Sequence, residues 1–480
     1  MSDLQERANA FIMDFFDSTD VSLFVDKDNL TRVLIRYKVD NHYEVRELYD
    51  KTFIAWLSNN MRISLDELII PSVPIRLNAY RDEAIALGNT RKIYYRIAGN
   101  SKALVYFLAD KDWHYVYVDK NGYRITKKTS PLFMRTANTK EQVQPKGNKD
   151  ILEVLRRFVN LNDDDFILFA VYLIQSFFPR SSHFISIVSS SHGTGKTTFS
   201  KLFREIVSPA VAPQAIMPKN ADELKNHLAN NLVVVFDNSE RLSNELSDIL
   251  CGATTGTAMT KRTLYTTADE TILKFKNTIL INGIDICPHK KDLLERSLLF
   301  ELQPISTKDR KSEINFWQEF RKAKPYIMGA VFTAISKALA IKEDLKLTET
   351  HRMSDAYTDM VAIAMALGIE KDRFIKIFYD NKEKLEKIQS DENYFVSGIV
   401  DFMSKKTKKT IRLTMTELYF AIKEEKVIEA RYFPKSASAF SRKLKAEEQS
   451  LRLLGYKFFI DVKRDATYIT LGKIKTTELK

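Results

Sequence analysis

The chain has 480 residues, 44% of them hydrophobic, and a net charge of +12. This length allows two to four domains with their own cores, and the basic excess favours a polyanionic partner, most simply nucleic acid. Two cysteines, Cys251 and Cys287, exclude a disulfide scaffold or a zinc cluster. The most apolar run, Phe166–Phe178, is too short to cross a bilayer and indicates a buried helix. We therefore expect a cytoplasmic protein with no membrane partner.

The first 145 residues predict a mixed α+β domain. Leu4–Phe16 predicts a helix, and alternating apolar and polar residues predict antiparallel strands in the stretches TRVLIRYKV, RKIYYRIA, KALVYFLA, DWHYVYV and YRITK. Thr139–Asp150 is polar and contains proline and glycine, so it predicts a linker.

The remaining chain divides into three segments. Over residues 146–305, short apolar strands alternate with helical stretches, which is typical of a parallel sheet covered by helices. Residues 306–390 predict a helical lid or linker, and residues 391–480 predict a domain of helices followed by two strands.

A phosphate-binding loop is indicated at residues 190–197, SSHGTGKT, where Ser190 replaces the first glycine of G-x-x-x-x-G-K-[ST]. In such a loop the backbone N–H groups surround phosphates, the lysine contacts the β- and γ-phosphates, and the hydroxyl binds Mg²⁺. A β-like run precedes it and a helical run follows, as this function requires. The alternative is a flexible loop that contains Gly-Lys by chance. The expected nucleotide-binding residues are Gly193, Thr194, Gly195, Lys196, Thr197 and Thr198.

A second element follows about forty residues later, where the apolar run Leu232–Phe236 ends in Asp237 and Asn238. A strand that closes in an acid is how a Walker B aspartate is presented to Mg²⁺, so we expect Asp237 and Thr197 to bind the metal of Mg²⁺–ATP. Many related ATPases have glutamate after this aspartate. An amide orients water but cannot take its proton, so either Asn238 positions the water or another acid, such as Glu240, assists.

Two further polar residues occupy positions that matter in such ATPases. Asn282 ends the apolar stretch NTILIN and fits a sensor that reaches the γ-phosphate from a neighbouring strand, or simply an asparagine that caps a strand. Arg296, in DLLERS, lies where ring ATPases carry an arginine finger for the neighbouring subunit, or forms a surface ion pair. The four elements in this order predict an AAA+ ATPase core and exclude a kinase, whose lysine lies on a strand.

The segments that carry these elements resemble a known family. HGTGKTT, VVFDNSERLSNELSDILCGATTG and DLLERSLLFEL are similar to the MCM-like Rep and Cch replicative helicases of phages and staphylococcal mobile genomic islands, most strongly over residues 150–305. The resemblance implies a self-loading, ATP-driven DNA helicase and replication initiator that acts as a hexameric ring. It assigns the motor roles to Lys196, Asp237, Asn282 and Arg296, and Asn238 matches the Asp-Asn pair of these proteins.

Residues 257–276, just before the sensor strand, predict two β-rich arms around polar residues. The related helicases place a DNA-gripping hairpin here. Lys261 and Arg262 would then contact phosphates and Tyr265 could stack on a base, unless the segment is a solvated basic turn.

The C-terminal segment carries most of the positive charge, because residues 401–480 contain 19 Lys and Arg against 10 Asp and Glu. On a helix, residues 440–454 place Phe440, Leu444, Leu451 and Leu454 on one face and Arg442, Lys445, Gln449 and Arg452 on the other. Two strands follow, joined at Lys463-Arg464-Asp465. This layout predicts a winged helix, used for duplex DNA or only for protein contacts; its expected DNA-binding residues are Arg442, Lys445, Arg452, Lys463 and Arg464.

The sequence thus predicts an α/β fold in which an AAA+ P-loop ATPase core is flanked by a mixed α+β N-terminal domain, a helical lid and a C-terminal winged helix. The expected ligands are ATP and Mg²⁺, and the expected partners are single-stranded DNA in a channel, duplex origin DNA and further copies of the chain. The alternative function is an AAA+ origin-binding protein or helicase loader that uses ATP as a switch. A loader has no need of a basic hairpin in its channel. Arg352 could be a sensor residue of the lid or a surface charge.

Overall fold

The computed structural model describes residues 3–62, 72–147, 149–190, 194–239, 242–262, 270–283, 290–306, 308, 310–348, 351–392, 394–406, 410–428, 433–463 and 466–474. The chain forms two compact units, the first being Met1–Ile286 with Phe300–Ile377 and the second Cys287–Leu299 with Phe378–Lys480. The segment predicted over residues 1–145 therefore lies in the first unit, whereas the helical segment predicted over residues 306–390 is divided between the two units after Ile377. Within the described ranges, no helix is both long and apolar enough to cross a membrane.

The N-terminal part of the first unit opens with a four-stranded sheet of order β3-β2-β1-β4. The helix predicted at Leu4–Phe16 is confirmed, whereas α2, α3, β1 and β3 were not predicted. Asp50 caps α2 by accepting hydrogen bonds from the backbone N–H groups of Thr52 and Phe53, a signal that could have revealed this helix. The elements are α1 (Asp3–Phe16), β1 (Ser22–Asp26), β2 (Asn29–Val39), β3 (His42–Glu47), α2 (Lys51–Met61), α3 (Ser72–Leu87) and β4 (Thr90–Arg91).

A second N-terminal sheet is an antiparallel meander of order β6-β7-β8-β9, as the alternation predicts, and a short parallel pair β5-β10 accompanies it. Its inner face packs around the buried rings of Phe107, Trp113 and Phe133. The strands are β5 (Ile93–Tyr94), β6 (Ile97–Gly99), β7 (Ala103–Phe107), β8 (Tyr115–Asp119), β9 (Gly122–Thr126) and β10 (Leu132–Phe133).

The predicted α/β core contains a five-stranded sheet of order β12-β13-β16-β11-β17, and β12, β13, β16 and β11 run parallel as expected. The apolar run at Phe166–Phe178 forms the buried helix α5. The elements are α4 (Ile151–Arg156), α5 (Asp163–Gln175), β11 (Ile185–Ser189), α6 (Lys196–Val207), β12 (Ala215–Ile216), α7 (Ala221–Ala229), β13 (Val233–Asp237), α8 (Asn244–Thr255), β14 (Thr257–Arg262), β15 (Glu270–Phe275), β16 (Thr278–Asn282), α9 (Lys291–Glu295) and β17 (Ser297–Glu301).

The helical segment predicted after the core forms α10 (Glu313–Asp344), α11 (Ser354–Ala366) and α12 (Lys371–Glu392). The predicted linker is extended and packed rather than free. Its Gln142 backbone N–H donates to Leu108 O, and its Lys146 N–H donates to Pro325 O in α10.

The second unit contains a three-stranded antiparallel sheet of order β18-β20-β19 with helices packed against it. The predicted pair of strands is present, and β18 was missed. The prediction of a single helix over residues 440–454 is wrong. The backbone of Glu447 departs from helical dihedral angles (φ −99°, ψ 14°), so one helix ends there and a second begins. The elements are α13 (Tyr394–Ser404), β18 (Thr410–Thr414), α14 (Met415–Glu424), α15 (Ala437–Ala446), α16 (Glu448–Leu453), β19 (Tyr456–Val462) and β20 (Thr467–Lys473).

Candidate functional site

The loop between β11 and α6 presents a glycine and a lysine at a helix start. Gly195 is the N-cap of α6 with φ 86°, a left-handed conformation that favours glycine. Lys196 is the first helical residue, and its Nζ donates to Ser190 O at 2.9 Å and Ser190 Oγ at 3.2 Å. Ser190, which stands in place of the motif's glycine, also hydrogen bonds through its hydroxyl to Thr194 Oγ1. The substituted position thus contacts the motif lysine directly, while Gly193 lies outside the described residues.

The start of α6 can attract an anion. The first backbone N–H groups of a helix have no intrahelical partner, and the helix dipole places partial positive charge there. Thr197 and Thr198 lie in this first turn, beside the Lys196 ammonium. The arrangement of a glycine cap, a lysine and a twelve-residue helix suits a phosphate group.

A cleft of about 550 Å³ adjoins this loop within the first unit. Its lining includes Thr194, Gly195, Thr197 and Thr198 of the loop and helix start, together with apolar and basic side chains. Asn160 also lines the cleft, and its Nδ2 donates to Thr194 O at 2.9 Å and to Gln303 O at 2.7 Å. Sequence patterns did not predict this cleft, because its other lining residues come from distant parts of the chain: Arg157, Phe158, Val159, Asn160, Phe199, Lys201, Ile305, Arg310, Lys311, Glu313 and Phe316.

The acid and amide predicted next to the loop lie at the same edge of the sheet. Because β11, β16 and β13 are parallel neighbours, their carboxyl ends share one edge, where Asp237 and Asn282 end their strands. Asp237 is half-buried and Asn238 is exposed in the left-handed region at φ 50°, which asparagine tolerates better than most residues. Glu240 lies outside the described residues.

Asn282 is buried and connects three elements through hydrogen bonds. Its Oδ1 accepts from the backbone N–H of Asn238 at 2.9 Å, and its own carbonyl accepts from the N–H of Ser239 at 2.9 Å. Its Nδ2 donates to Ser200 Oγ in α6, also at 2.9 Å, and Asn282 and Ser200 are both buried. Asn282 therefore shapes the turn after β13 and attaches it to the helix of the loop. A contact between its side chain and a γ-phosphate stays a prediction.

Arg296 belongs to the second unit, where it is the C-cap of α9. Its Nε lies 3.3 Å from Asp292 Oδ2, so an ion pair is present, but the Arg296 side chain is only 13% exposed and the pair is not the surface pair considered from the sequence. Two α12 residues hold the surrounding backbone. Lys382 Nζ donates to Leu294 O, Glu295 O and Ser297 O at 3.0, 2.7 and 2.9 Å. The Asn381 side chain bonds the N–H and carbonyl of Leu299 at 3.0 and 2.6 Å.

The predicted arms before the sensor strand pair as an antiparallel hairpin of β14 and β15. Lys261 is opposite Thr271 and Arg262 is opposite Glu270, which places both basic residues at the turn end of the hairpin. Tyr265 lies outside the described residues. A charged hairpin end of this kind can contact phosphates.

The helices α15 and α16 display the two predicted faces in spite of the break between them. Phe440, Leu444 and Leu451 are buried in the core of the second unit. The exposed residues are Arg442, Lys445, Gln449 and Arg452. Lys463 is exposed after β19, and its backbone N–H donates to Ala466 O at 3.0 Å. Arg464 lies outside the described residues, and Arg352 is exposed in the turn before α11.

Residues 150–374, a little under half of the chain, match the model of a family described as the actinomycete integrative conjugative element replication protein. No curated protein matches the chain. Over these residues the chain is therefore similar to a replication protein of a mobile genetic element. The family description names neither staphylococcal islands nor MCM-like helicases.

Three solved structures align with 99% of this chain and 100% of their own. They are the A form apo structure of the NrS-1 C terminal region (11% identity, TM-score 0.42), the A form apo structure of its residues 305–718 (12%, 0.39) and another apo structure of residues 305–718 (11%, 0.40). Alignments with such low identities and TM-scores support no conclusion about the fold or the function of this chain.

Proposed function

We propose that the chain is an ATP-dependent DNA helicase and replication initiator of a mobile genetic element, acting as a hexameric ring that moves on DNA by ATP hydrolysis. The observation that carries the proposal is the cleft that is lined by Thr194 and Gly195, by Thr197 and Thr198 at the start of α6, and by apolar side chains. The similarity of residues 150–374 to a mobile-element replication protein supports the biological setting. The MCM-like assignment rests on the sequence motifs alone.

The loop residues Thr194 and Gly195 and the start of α6 suit the phosphates of ATP. Lys196 supplies a cation, and α6 supplies the N–H groups of its first turn and a positive dipole end. Phosphate oxygens would compete with Ser190 for the Lys196 ammonium, so the serine holds the lysine near the loop and can release it to a better acceptor. Glycine has no hydroxyl group, so it could not hold the lysine through a side chain as Ser190 does.

The apolar side chains that line the cleft suit a nucleobase. Phe158, Val159, Ile305 and Phe316 provide apolar contacts, and ligand clefts of about 300–1,000 Å³ are typical for molecules of this size. Arg310 and Lys311 add positive charge to the lining of the cleft, which favours a nucleotide over a neutral ligand.

Thr197 and Asp237 would hold Mg²⁺, because hydroxyl and carboxylate oxygens are the hard donors that this ion takes. When bound, the ion neutralises charge that develops on the transferred phosphate. Asn238 follows Asp237, and Asn282 fixes the backbone of Asn238. We therefore assign Asn238 to orienting the attacking water, Asn282 to holding Asn238, and Arg296 to reaching the site of a neighbouring subunit.

DNA contacts are assigned to two surfaces. Lys261 and Arg262 at the hairpin end would hold the strand in the channel, together with Tyr265. Arg442, Lys445, Arg452, Lys463 and Arg464 would bind duplex origin DNA, since a basic helix face beside a two-stranded wing is the winged-helix arrangement.

The second candidate function is an origin-binding protein or helicase loader that uses ATP as a switch. The exposed basic face of α15 and α16 is compatible with it, because origin binding needs no translocation. The hairpin favours the helicase, since a loader does not need a basic device that moves DNA.

The test compares wild type, Lys196→Ala and a control, Lys225→Ala, which removes a lysine on the neighbouring helix α7. ATP hydrolysis is measured with and without single-stranded DNA, and strand displacement is measured on duplexes with 3′ or 5′ tails. We expect Lys196→Ala to abolish both activities and Lys225→Ala to keep them. Hydrolysis at the wild-type rate in Lys196→Ala would refute the nucleotide site. If the wild-type protein hydrolyses ATP in the presence of DNA but displaces no strand, the result would favour the loader.

A further inference from the structure

Arg296, which is proposed to act on a neighbouring subunit, lies in the second unit together with the basic C-terminal helices. Residues 287–299 interrupt the first unit in sequence but form one compact unit with Phe378–Lys480. Lys291 Nζ at the start of α9 donates to Gln449 Oε1 in α16 at 2.9 Å. The helix that ends at Arg296 is therefore joined to the proposed duplex-binding helices.

Lys382 fixes the backbone on both sides of Arg296. An ammonium has three N–H donors, and here they reach three carbonyls, two before and one after the arginine: Leu294, Glu295 and Ser297. Helix α9 has only five residues, and the last carbonyls of any helix lack intrahelical partners. The lysine supplies those partners, and burial lowers the pKa of its ammonium to about 7.

Asn381, the preceding residue, extends the attachment into β17. Its side-chain amide both accepts from the N–H and donates to the carbonyl of Leu299, which reproduces the pairing of a neighbouring strand. Five hydrogen bonds from two consecutive α12 residues thus hold residues 294–299.

We infer that Lys382 is a positioning residue for Arg296, so that the arginine moves with the C-terminal unit when it reaches the site of a neighbouring subunit. The inference rests on the proposed trans role of Arg296. Lys382 touches the backbone rather than the nucleotide. Its loss should therefore lower the catalytic rate without weakening nucleotide binding in its own subunit. A misplacement of about 1 Å can cost roughly 100-fold in rate.

The experiment is a complementation of variants in mixed rings. Lys382→Met keeps the length of the side chain and removes the three donors, and Lys387→Met makes the same change at an exposed lysine of α12. We expect Lys382→Met alone to lower kcat for ATP about 100-fold, with an unchanged Kd for a fluorescent ADP analogue, and Lys387→Met to match wild type.

Mixing two variants in one ring identifies whether a variant has lost the lysine side or the arginine side of the shared nucleotide site. Lys382→Met mixed with Lys196→Ala should regain activity, because one interface then combines an intact Lys196 with a correctly held Arg296. Lys382→Met mixed with Arg296→Ala should stay inactive, because neither subunit supplies a working arginine. Melting temperatures and native mass spectra confirm that each variant folds and enters mixed rings.

The outcomes separate the two claims. If Arg296→Ala with Lys196→Ala regains nothing in verified mixed rings, the trans role of Arg296 in the proposed function is wrong. If that control pair recovers and Lys382→Met with Arg296→Ala recovers as well, the inference about Lys382 alone is wrong. If Lys382→Met unfolds, Asn381→Ala is analysed in the same pairs. Wild-type behaviour of Asn381→Ala would then also overturn the inference about Lys382.

Discussion

The side-chain oxygen of Asn282 accepts a hydrogen bond from the backbone N–H of Asn238, at 2.9 Å. Asn282 ends β16 and Asn238 follows the neighbouring strand β13, and the same Asn282 side chain donates to Ser200 in α6. The turn that presents Asn238 and the helix that begins at Lys196 are thus connected through one buried amide.

Asn282→Ala should remove this connection. We expect the free energy of unfolding to fall by about 1–3 kcal/mol, because Ser200 and the Asn238 N–H lose a partner in or near the interior. ATP hydrolysis should fall strongly while the Kd for ATP changes little, since the phosphate-binding loop is intact. Denaturant unfolding, nucleotide titration and steady-state hydrolysis measure these effects.

Ser200→Ala is the matched comparison, because it removes one bond of Asn282 and keeps the bond to Asn238. We expect a loss of stability of about 1 kcal/mol and hydrolysis near the wild-type rate. If Asn282→Ala lost hydrolysis with no loss of stability, the side chain would act on the nucleotide directly and not through Asn238.

Patterns between near neighbours predicted many of the elements. Short apolar stretches separated by turn residues over residues 91–127 predicted the meander, and the helical period over residues 440–454 predicted which side chains are buried, although not the break at Glu447. Such signals depend only on which side of the backbone a residue occupies. The loop from Ser190 to Thr197 could be found in the same way, because its strand and helix are adjacent in sequence.

Contacts between distant residues could not be predicted. Phe316 lines the same cleft as Phe158 only because α10 packs against α4, and no local pattern encodes that approach. Lys382 lies in the charged stretch DNKEKLEK and would be taken for a solvated lysine. Only the folded chain shows that three carbonyls meet its ammonium.

The hairpin prediction concerns movement on DNA. Lys261→Ala/Arg262→Ala removes both charges at the end of β14, far along the chain from the loop at Lys196. We expect unwinding to be lost, with hydrolysis in the absence of DNA and duplex origin binding nearly unchanged. Lys274→Ala, in the other arm, is the control. Normal unwinding by the double variant would show that the hairpin end does not grip DNA.

The pH prediction concerns stability. Burial, with a smaller contribution from Lys276, lowers the pKa of His183 from 6.5 to about 3. The unfolded chain therefore binds more protons between these values, and the stability present above pH 6.5 is lost as the pH falls towards 3. Each pKa unit corresponds to about 1.4 kcal/mol.

His183→Gln should flatten the dependence of unfolding free energy on pH in this window, as measured by urea titrations at several pH values. His227→Gln, at an exposed position of α7, is the control and should keep the wild-type slope. An unchanged slope in His183→Gln would mean that His183 is protonated in the folded protein at these pH values.

The last prediction concerns duplex binding by the second unit. The triple variant Arg442→Ala/Lys445→Ala/Arg452→Ala removes three exposed charges from α15 and α16, and alanine preserves the helices. Each phosphate contact contributes a slope of about −0.9 in log K against log salt, so the slope should weaken by up to about 2.7. The control Lys387→Ala/Lys405→Ala/Lys423→Ala removes three exposed lysines elsewhere in the same unit and should keep most of the affinity. Fluorescence anisotropy over a range of salt concentrations measures both. An equal loss in the two variants would indicate a response to net charge alone, and no loss in the first would exclude this helix face as the duplex-binding surface.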